Sequence, residues 1–301
     1  MTLRSSFFLL CLSLTLSWVG ESFAQTEFQR VTHLYVERES GPLHLDLRIP
    51  NAVALSPGVV FVHGGGFQMG TRDSAPVTQF LDALAAAGIP SASISYRLTM
   101  KGRGFGCDVP IADKRRAVAL AGEDLEDALT WLEEQPNRKG WPSAWVAAGS
   151  SAGAETALWS GYVHAPDRWA GVLSFSGALD ASTLPLSTAP PLLAVHGQCD
   201  ALVPVGSDLH HFCPEDSPGA WALIGGPAWA DSLRRVAVPA STWIQCGGSH
   251  RVCTSAMSNP AVVDRIIQWL LKGGDEEWDV LVDDAGHPLQ AGRSSCPQPC
   301  N

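Results

Sequence analysis

Six short, unbroken apolar runs, at residues 59–62, 91–96, 145–148, 171–175, 192–195 and 242–245, constrain this chain more than any other feature. Each is bounded by glycine, proline or serine and is short enough to be a buried strand. A strand that is apolar on both sides must be covered on both sides, and parallel sheets are the ones whose connections lay helices over both faces. Stretches of helical length lie between the runs. Residues 77–87 stop at Gly88, residues 113–134 carry Val118, Leu125, Leu129 and Leu132 on one face, and residues 152–160 follow a glycine turn. The last helix is marked at both ends. Asn259 caps it, Pro260 fills its first turn, Val262, Val263, Ile266, Ile267 and Leu270 form its apolar face, and Lys272-Gly273 closes it. Residues 31–36 and 43–49 do alternate in polarity, around Ser40-Gly41-Pro42, and read as an antiparallel pair at the sheet edge. The pattern predicts an α/β fold with a mostly parallel, eight-stranded sheet and helices on both faces.

Residues 1–24 stand outside this pattern. Arg4, an apolar run over residues 7–18 and the small-x-small sequence Ser22-Phe23-Ala24 have the order of a signal peptide, and the run is too short for a comfortable membrane span. A secreted or periplasmic protein is therefore expected, in a compartment where cysteines pair. Of the 8 cysteines, Cys11 leaves with the signal. The short-loop pairings are Cys199 with Cys213, Cys246 with Cys253 and Cys296 with Cys300, with Cys107 left over, although spacing does not fix connectivity. No pair of C-x-x-C elements exists, so a zinc site is not expected. Residues 25–273 read as one domain. Residues 274–301, acidic and then rich in Pro, Gly, Ser and Cys, read as an appended tail. The formal charge of −10 argues against nucleic acid and anionic lipid surfaces as partners.

Chemistry concentrates at the ends of the apolar runs. Gly149-Ser150-Ser151-Ala152-Gly153 is a G-x-S-x-G frame between a strand and a helix, where a nucleophile at a sharp turn needs glycines on both sides so that neighbouring chains can pass. Ser151 fits the centre of the frame and Ser150 does not. His63-Gly64-Gly65-Gly66 directly follows the run at 59–62, and glycines there can offer backbone N–H groups to an oxyanion. The expected donors are Gly65, Gly66 and Ala152, the residue after the nucleophile. An acid is expected after a later strand: Asp200, within His196-Gly197-Gln198-Cys199-Asp200-Ala201-Leu202-Val203-Pro204, with Asp180 as the rival. The base must follow the acid, and His250, in Gly247-Gly248-Ser249-His250 between the last apolar run and the capped helix, fits better than His287 in the tail or His210 and His211 in an inserted loop. The segment with His210, His211, Trp221 and Trp229 is expected to lie beside the site, its tryptophans forming either an aromatic wall or ordinary core.

With these residues in place, residues 31–273 resemble the α/β-hydrolase family. His63 to Gly66, with Tyr96-Arg97-Leu98, looks like the hormone-sensitive-lipase-type esterases, and His196 to Pro204 looks like the dienelactone-hydrolase and feruloyl or acetylxylan esterase branches. The chain departs from the first group in having Ser150, not Asp, before Ser151. The resemblance implies a secreted carboxylic ester hydrolase acting through Ser151, His250 and Asp200 via an acyl-enzyme, without metal or organic cofactor, on small-molecule or carbohydrate-linked esters. Two alternatives share the fold. A peptidase of this kind carries a propeller domain, for which the stretch before the first strand is too short, and a non-catalytic binding protein would have lost a member of the triad.

Overall fold

The computed structural model of the protein describes residues 26–135, 141–289 and 295–300. The signal-peptide reading, with Cys11, lies outside the described residues. Twelve strands run in chain order: β1 (Phe28–Arg38), β2 (Gly41–Pro50), β3 (Gly58–Val62), β4 (Ser91–Ile94), β5 (Trp145–Ser150), β6 (Gly171–Phe175), β7 (Ala178–Asp180), β8 (Leu192–Gly197), β9 (Ser207–Leu209), β10 (Ala222–Gly225), β11 (Ala240–Gln245) and β12 (Asp279–Val282). Six α-helices alternate with them: α1 (Ala75–Ala86), α2 (Ile111–Glu134), α3 (Ala152–Trp159), α4 (Gly226–Arg234), α5 (Val252–Ser255) and α6 (Pro260–Leu271). Among the described residues, no helix is long and apolar enough to cross a membrane.

One sheet organises the molecule, in the order β1-β2-β4-β3-β5-β6-β8-β11-β12. β1 and β2 form the expected antiparallel pair, β2 runs antiparallel to β4, and every later pairing is parallel. The central runs are buried because each strand sends successive side chains to opposite faces, both of them covered. Val60 and Val62 of β3 join Leu125 and Leu129 of α2 and Leu158 of α3 on one side, whereas Val59 and Phe61 join Phe80 of α1 and Ile266 and Leu270 of α6 on the other. β8 divides likewise, with Leu192 and Ala194 in the first layer and Leu193 and Val195 in the second. The start of α6 is as the sequence requires: the Asn259 side chain accepts from the Ala261 amide at 3.0 Å.

The main sheet has nine strands rather than eight. The additional strand, β12, comes from the stretch expected to be an appended tail and pairs in parallel with β11. It was illegible because its sequence, Asp279-Val280-Leu281-Val282, is short, begins with an acid and follows an acidic run, and an edge strand needs only one partner. The insertion after β8 supplies β9 and β10, which join β7, from the segment before β8, in a small antiparallel sheet of order β7-β10-β9. Trp229 is buried in the core and Trp221 donates its indole N–H to Asp180, so the core alternative for the tryptophans describes them better than a wall around Ser151.

The expected disulfides are overturned. The bonds are Cys107–Cys213, Cys199–Cys300 and Cys246–Cys296, and among the described residues Cys253 is left as a buried free thiol. Proximity in sequence misled because β8 and β11 are neighbours, which puts the Cys199 and Cys246 loops side by side, and parallel β12 delivers the end of the chain to that same edge of the sheet.

At the antiparallel edge, one carboxylate ties helix to strands. Asp124 of α2 is fully buried and accepts from Arg38 Nε and Nη2 at 3.1 and 2.9 Å, from the Arg97 amide at 2.8 Å and from Arg97 Nε at 2.9 Å. Removing it would leave two partly buried guanidinium groups short of their partner. Asp124→Ala is therefore expected to lower unfolding stability by about 3 kcal/mol in urea titrations, and Asp127→Ala, whose carboxylate is half-exposed, by less than about 1 kcal/mol.

Candidate active site

Because the central strands are parallel, the loops leaving β3, β5, β8 and β11 all emerge at one edge of the sheet, where such folds place their ligands. The turn from β5 into α3 is the tightest. Ser151 sits there at φ 53° and ψ −122°, in the positive-φ region that non-glycine residues avoid. Both glycines of the motif are required by close approach: a Cβ on Gly149 would lie 2.2 Å from the Gly153 carbonyl oxygen, and one on Gly153 would lie 2.1 Å from the Val62 carbonyl oxygen of β3. The Ser151 amide donates to the Phe175 carbonyl at 2.8 Å, fixing the turn to the end of β6.

Ser151, His250 and Asp200 are brought together. Ser151 Oγ lies 2.8 Å from His250 Nε2, and His250 Nδ1 lies 2.7 Å from Asp200 Oδ2. The other Asp200 oxygen accepts from the amides of Leu202 and Val203, each at 2.9 Å. A carboxylate at Nδ1 makes that nitrogen the donor and leaves Nε2 to accept the serine proton. Burial alone would raise the Asp200 carboxyl, but hydrogen bonds from His196 and His250, the imidazole charge and the Val203 amide outweigh it and hold the group well below the ordinary range. Burial likewise pulls His250 down, and is outweighed by the hydrogen bond and charge of Asp200 and by the Cys253 thiol beside the ring, so that its pKa stands above the ordinary histidine value.

The rival residues are elsewhere. Asp180 is bound by Arg115 at 2.6 Å, by Trp221 Nε1 at 2.9 Å and by Ser182, in a second cavity of about 520 Å³ that shares only Glu155 with the cavity of Ser151. His287 is exposed and 3.5 Å from Asp283. His210 and His211 line the cavity that contains Ser151 without joining the Ser151–His250–Asp200 chain.

That cavity, of about 490 Å³, is walled on one side by the loop after β3. Gly65 and Gly66, at φ 119° and 61°, line it opposite Ala152, whose amide opens α3 and has no intrahelical acceptor. The loop is held from behind. Ser150 Oγ accepts from the Gly64 amide at 3.1 Å, His63 Nδ1 meets the Gly64 carbonyl at 2.7 Å, and Tyr96 donates to the His63 carbonyl at 3.0 Å with its ring 4.6 Å from the imidazole. The Ser150 contact was missed because the motif's spacing draws attention to its centre. The signal was the unusual serine itself, at the position where the hormone-sensitive-lipase-type pattern has Asp. Met69 and Leu202, both exposed, give the mouth an apolar rim.

The acid and base loops are fastened to one another. Gln198 N donates to the Gln245 carbonyl, Cys199 N to the Gly248 carbonyl and Gly247 N to the Gln198 side chain, at 2.8–2.9 Å. The end of the chain staples both loops, through Cys199–Cys300 immediately before Asp200 and through Cys246–Cys296 four residues before His250.

No protein-family model matches the chain, and none of the curated proteins matches it in sequence. Solved structures match its shape. Thermogutta terrifontis esterase 2 superposes with a TM-score of 0.58 at 18% identity, over 82% of this chain and 95% of that one. Brefeldin A esterase, a bacterial homologue of human hormone sensitive lipase, gives 0.55 at 18% identity, over 87% and 80%. Dienelactone hydrolase from Anabaena variabilis gives 0.51 at 19% identity, over 81% and 96%. The chain has the α/β-hydrolase fold.

Replacing Cys296 and Cys300 together by serine removes both staples. Unfolding stability is expected to fall by about 2–4 kcal/mol per bridge, and amide exchange to quicken at residues 197–203 and 246–252 while α1 stays protected.

Proposed function

We propose that the protein is a serine carboxylic ester hydrolase that works outside the cytoplasm through an acyl-enzyme on Ser151. The observation that carries this reading is the hydrogen-bonded chain from Ser151 Oγ through His250 to Asp200, with lengths of 2.8 and 2.7 Å, at the strained turn. Asp200 holds Nδ1–H and stabilises the imidazolium, His250 Nε2 takes the proton of Ser151, and Ser151 Oγ attacks the ester carbonyl. The carbonyl oxygen, as it gains charge, is received by the amides of Gly65, Gly66 and Ala152, the last at the positive end of α3. His250 returns its proton to the leaving alkoxide, then activates the water that releases the acid. No step calls for a metal or an organic cofactor.

The neighbours support the ester class. Thermogutta terrifontis esterase 2 is phosphoramylated by tabun, a reaction of an activated nucleophile. An export route is supported by the apolar N-terminal segment and by three disulfides. An uncharged small-molecule or carbohydrate-linked ester suits the apolar rim and the negative net charge of −10.

Ser151→Ala is expected to reduce p-nitrophenyl acetate turnover by about 10⁴-fold or more. Ser150→Ala, which removes one hydrogen bond behind the loop, should cost less than about tenfold. Comparable losses in the two variants would contradict the assignment. The base works only when neutral, so activity is lost as pH falls through the His250 pKa. Because Asp200 raises that pKa, the acid limb of kcat/KM should lie above the ordinary histidine value of about 6.5, and Asp200→Asn should shift the limb downward while slowing turnover.

A further inference from the structure

The proposed chemistry leaves three buried polar side chains unused: Glu155 and His210 in the wall of the Ser151 cavity, and Lys114 bonded to His210. Lys114 of α2 donates through Nζ to His210 Nδ1 at 3.1 Å and to the Gly219 carbonyl at 3.0 Å. An ammonium has only N–H to offer, so His210 Nδ1 is the acceptor and its hydrogen sits on Nε2. Nε2 points toward Glu155 Oε1 across 3.8 Å, too far for a hydrogen bond. Glu155 is only 3% exposed, and its second oxygen, Oε2, has no partner. Glu155 and His210 both line the cavity, and Cys107–Cys213 ties the segment carrying His210 to the loop that carries Phe105.

A buried carboxyl without a partner is costly, and Glu155 lies in a helix whose other side chains, Thr156 apart, are apolar. Glu155 lies one helical turn beyond Ser151, its amide donating to the Ser151 carbonyl at 2.9 Å. Ser151 is the residue that opens α3, so an acyl group on its Oγ starts at a fixed place beside the first turn, which carries Glu155. The leaving alcohol has no such fixed relation to α3. Both groups facing the gap are uncharged near pH 7, because burial pushes the Glu155 carboxyl up to about 8 and holds the His210 imidazole far below its ordinary value, where His211 and Lys114 also press it. The gap therefore suits a neutral group that can both accept and donate.

We propose that Glu155 and His210 form a subsite for a hydroxyl on the acyl half of the ester, seated beside the two groups, accepting from His210 Nε2–H and donating to Glu155 Oε1, so that hydroxyacyl esters are the favoured substrates. The proposal rests on Ser151 being the nucleophile.

The test compares kcat/KM for phenyl 3-hydroxybutyrate and phenyl butyrate, each corrected for its rate with hydroxide, and for 2-hydroxyethyl and ethyl butyrate. Wild-type enzyme is expected to favour the 3-hydroxybutyrate by at least about tenfold and to show no preference between the two alcohol-side esters. Glu155→Leu and His210→Phe should bring the acyl-side ratio close to one, and Glu155→Gln, which keeps an acceptor oxygen, should restore most of it. Fluorophosphonate labelling of Ser151 is measured on every variant to establish that it is folded. An acyl-side ratio near one in the wild type, a preference for the 2-hydroxyethyl ester instead, or a ratio unchanged in a labelled Glu155→Leu variant would overturn the subsite. Wild-type enzyme that splits phenyl butyrate without preference refutes the subsite alone. Enzyme that splits no ester and leaves Ser151 unlabelled refutes the nucleophile, and the subsite falls with it.

Discussion

The backbone at Ser151 is the constraint on which the rest of the site depends. A non-glycine residue at positive φ costs on the order of 1–3 kcal/mol, and the chain leaves that conformation unless its surroundings forbid every other. They do so here through contact. Gly149 abuts the Gly153 carbonyl, Gly153 abuts Val62 of the neighbouring strand, and the Ser151 amide is bound to the end of β6. The strain is thus held by the central strands of a sheet buried on both faces, the part of such a molecule that opens least often. A Ser151 Oγ presented to the cavity at a fixed place follows from that arrangement.

Parallel topology then supplies everything that must meet the serine. Strands running the same way deliver their following loops to one edge, so residues far apart in sequence arrive together without long connections. The glycine loop after β3, the acid loop after β8 and the base loop after β11 each add one function. Their relative positions are fixed by short contacts: Ser150 on Gly64, and Gln198 and Cys199 on the β11 loop. The end of the chain, returning beside β12, bonds to both the acid and the base loop. Geometry of this kind matters because misplacing a reacting group by about 1 Å can cost about a hundredfold in rate.

How much of this could be read in the sequence depended on how local its cause was. The central strands and α6 were legible because burial on two faces writes a continuous apolar run, and a capped amphipathic helix writes Asn259, Pro260 and a periodic face. The grouping of Ser151, Asp200 and His250 was legible because each follows a strand within a few residues and their order along the chain is restrictive. The disulfides were not, since pairing depends on which strands are neighbours, and only the adjacency of β8 and β11 brings Cys199 and Cys246 within reach of the same segment. β12 was hidden by acidic flanks that a one-sided edge strand tolerates. Glu155 was hidden for another reason. A single acid in a helix reads as a solvent-facing residue until packing shows it buried in the wall of the cavity.

The most direct measurement of the central claim, that Asp200 and His250 activate Ser151, is the second-order rate of fluorophosphonate labelling, with the site mapped by peptide mass and thermal melting recorded for each protein. One label on Ser151 is expected, with the rate reduced by up to about 10⁴-fold in a folded Asp200→Asn variant and little changed in Asp180→Asn. A label on Ser150 or another residue, or a folded Asp180→Asn variant that is slow while Asp200→Asn remains fast, would contradict the claim.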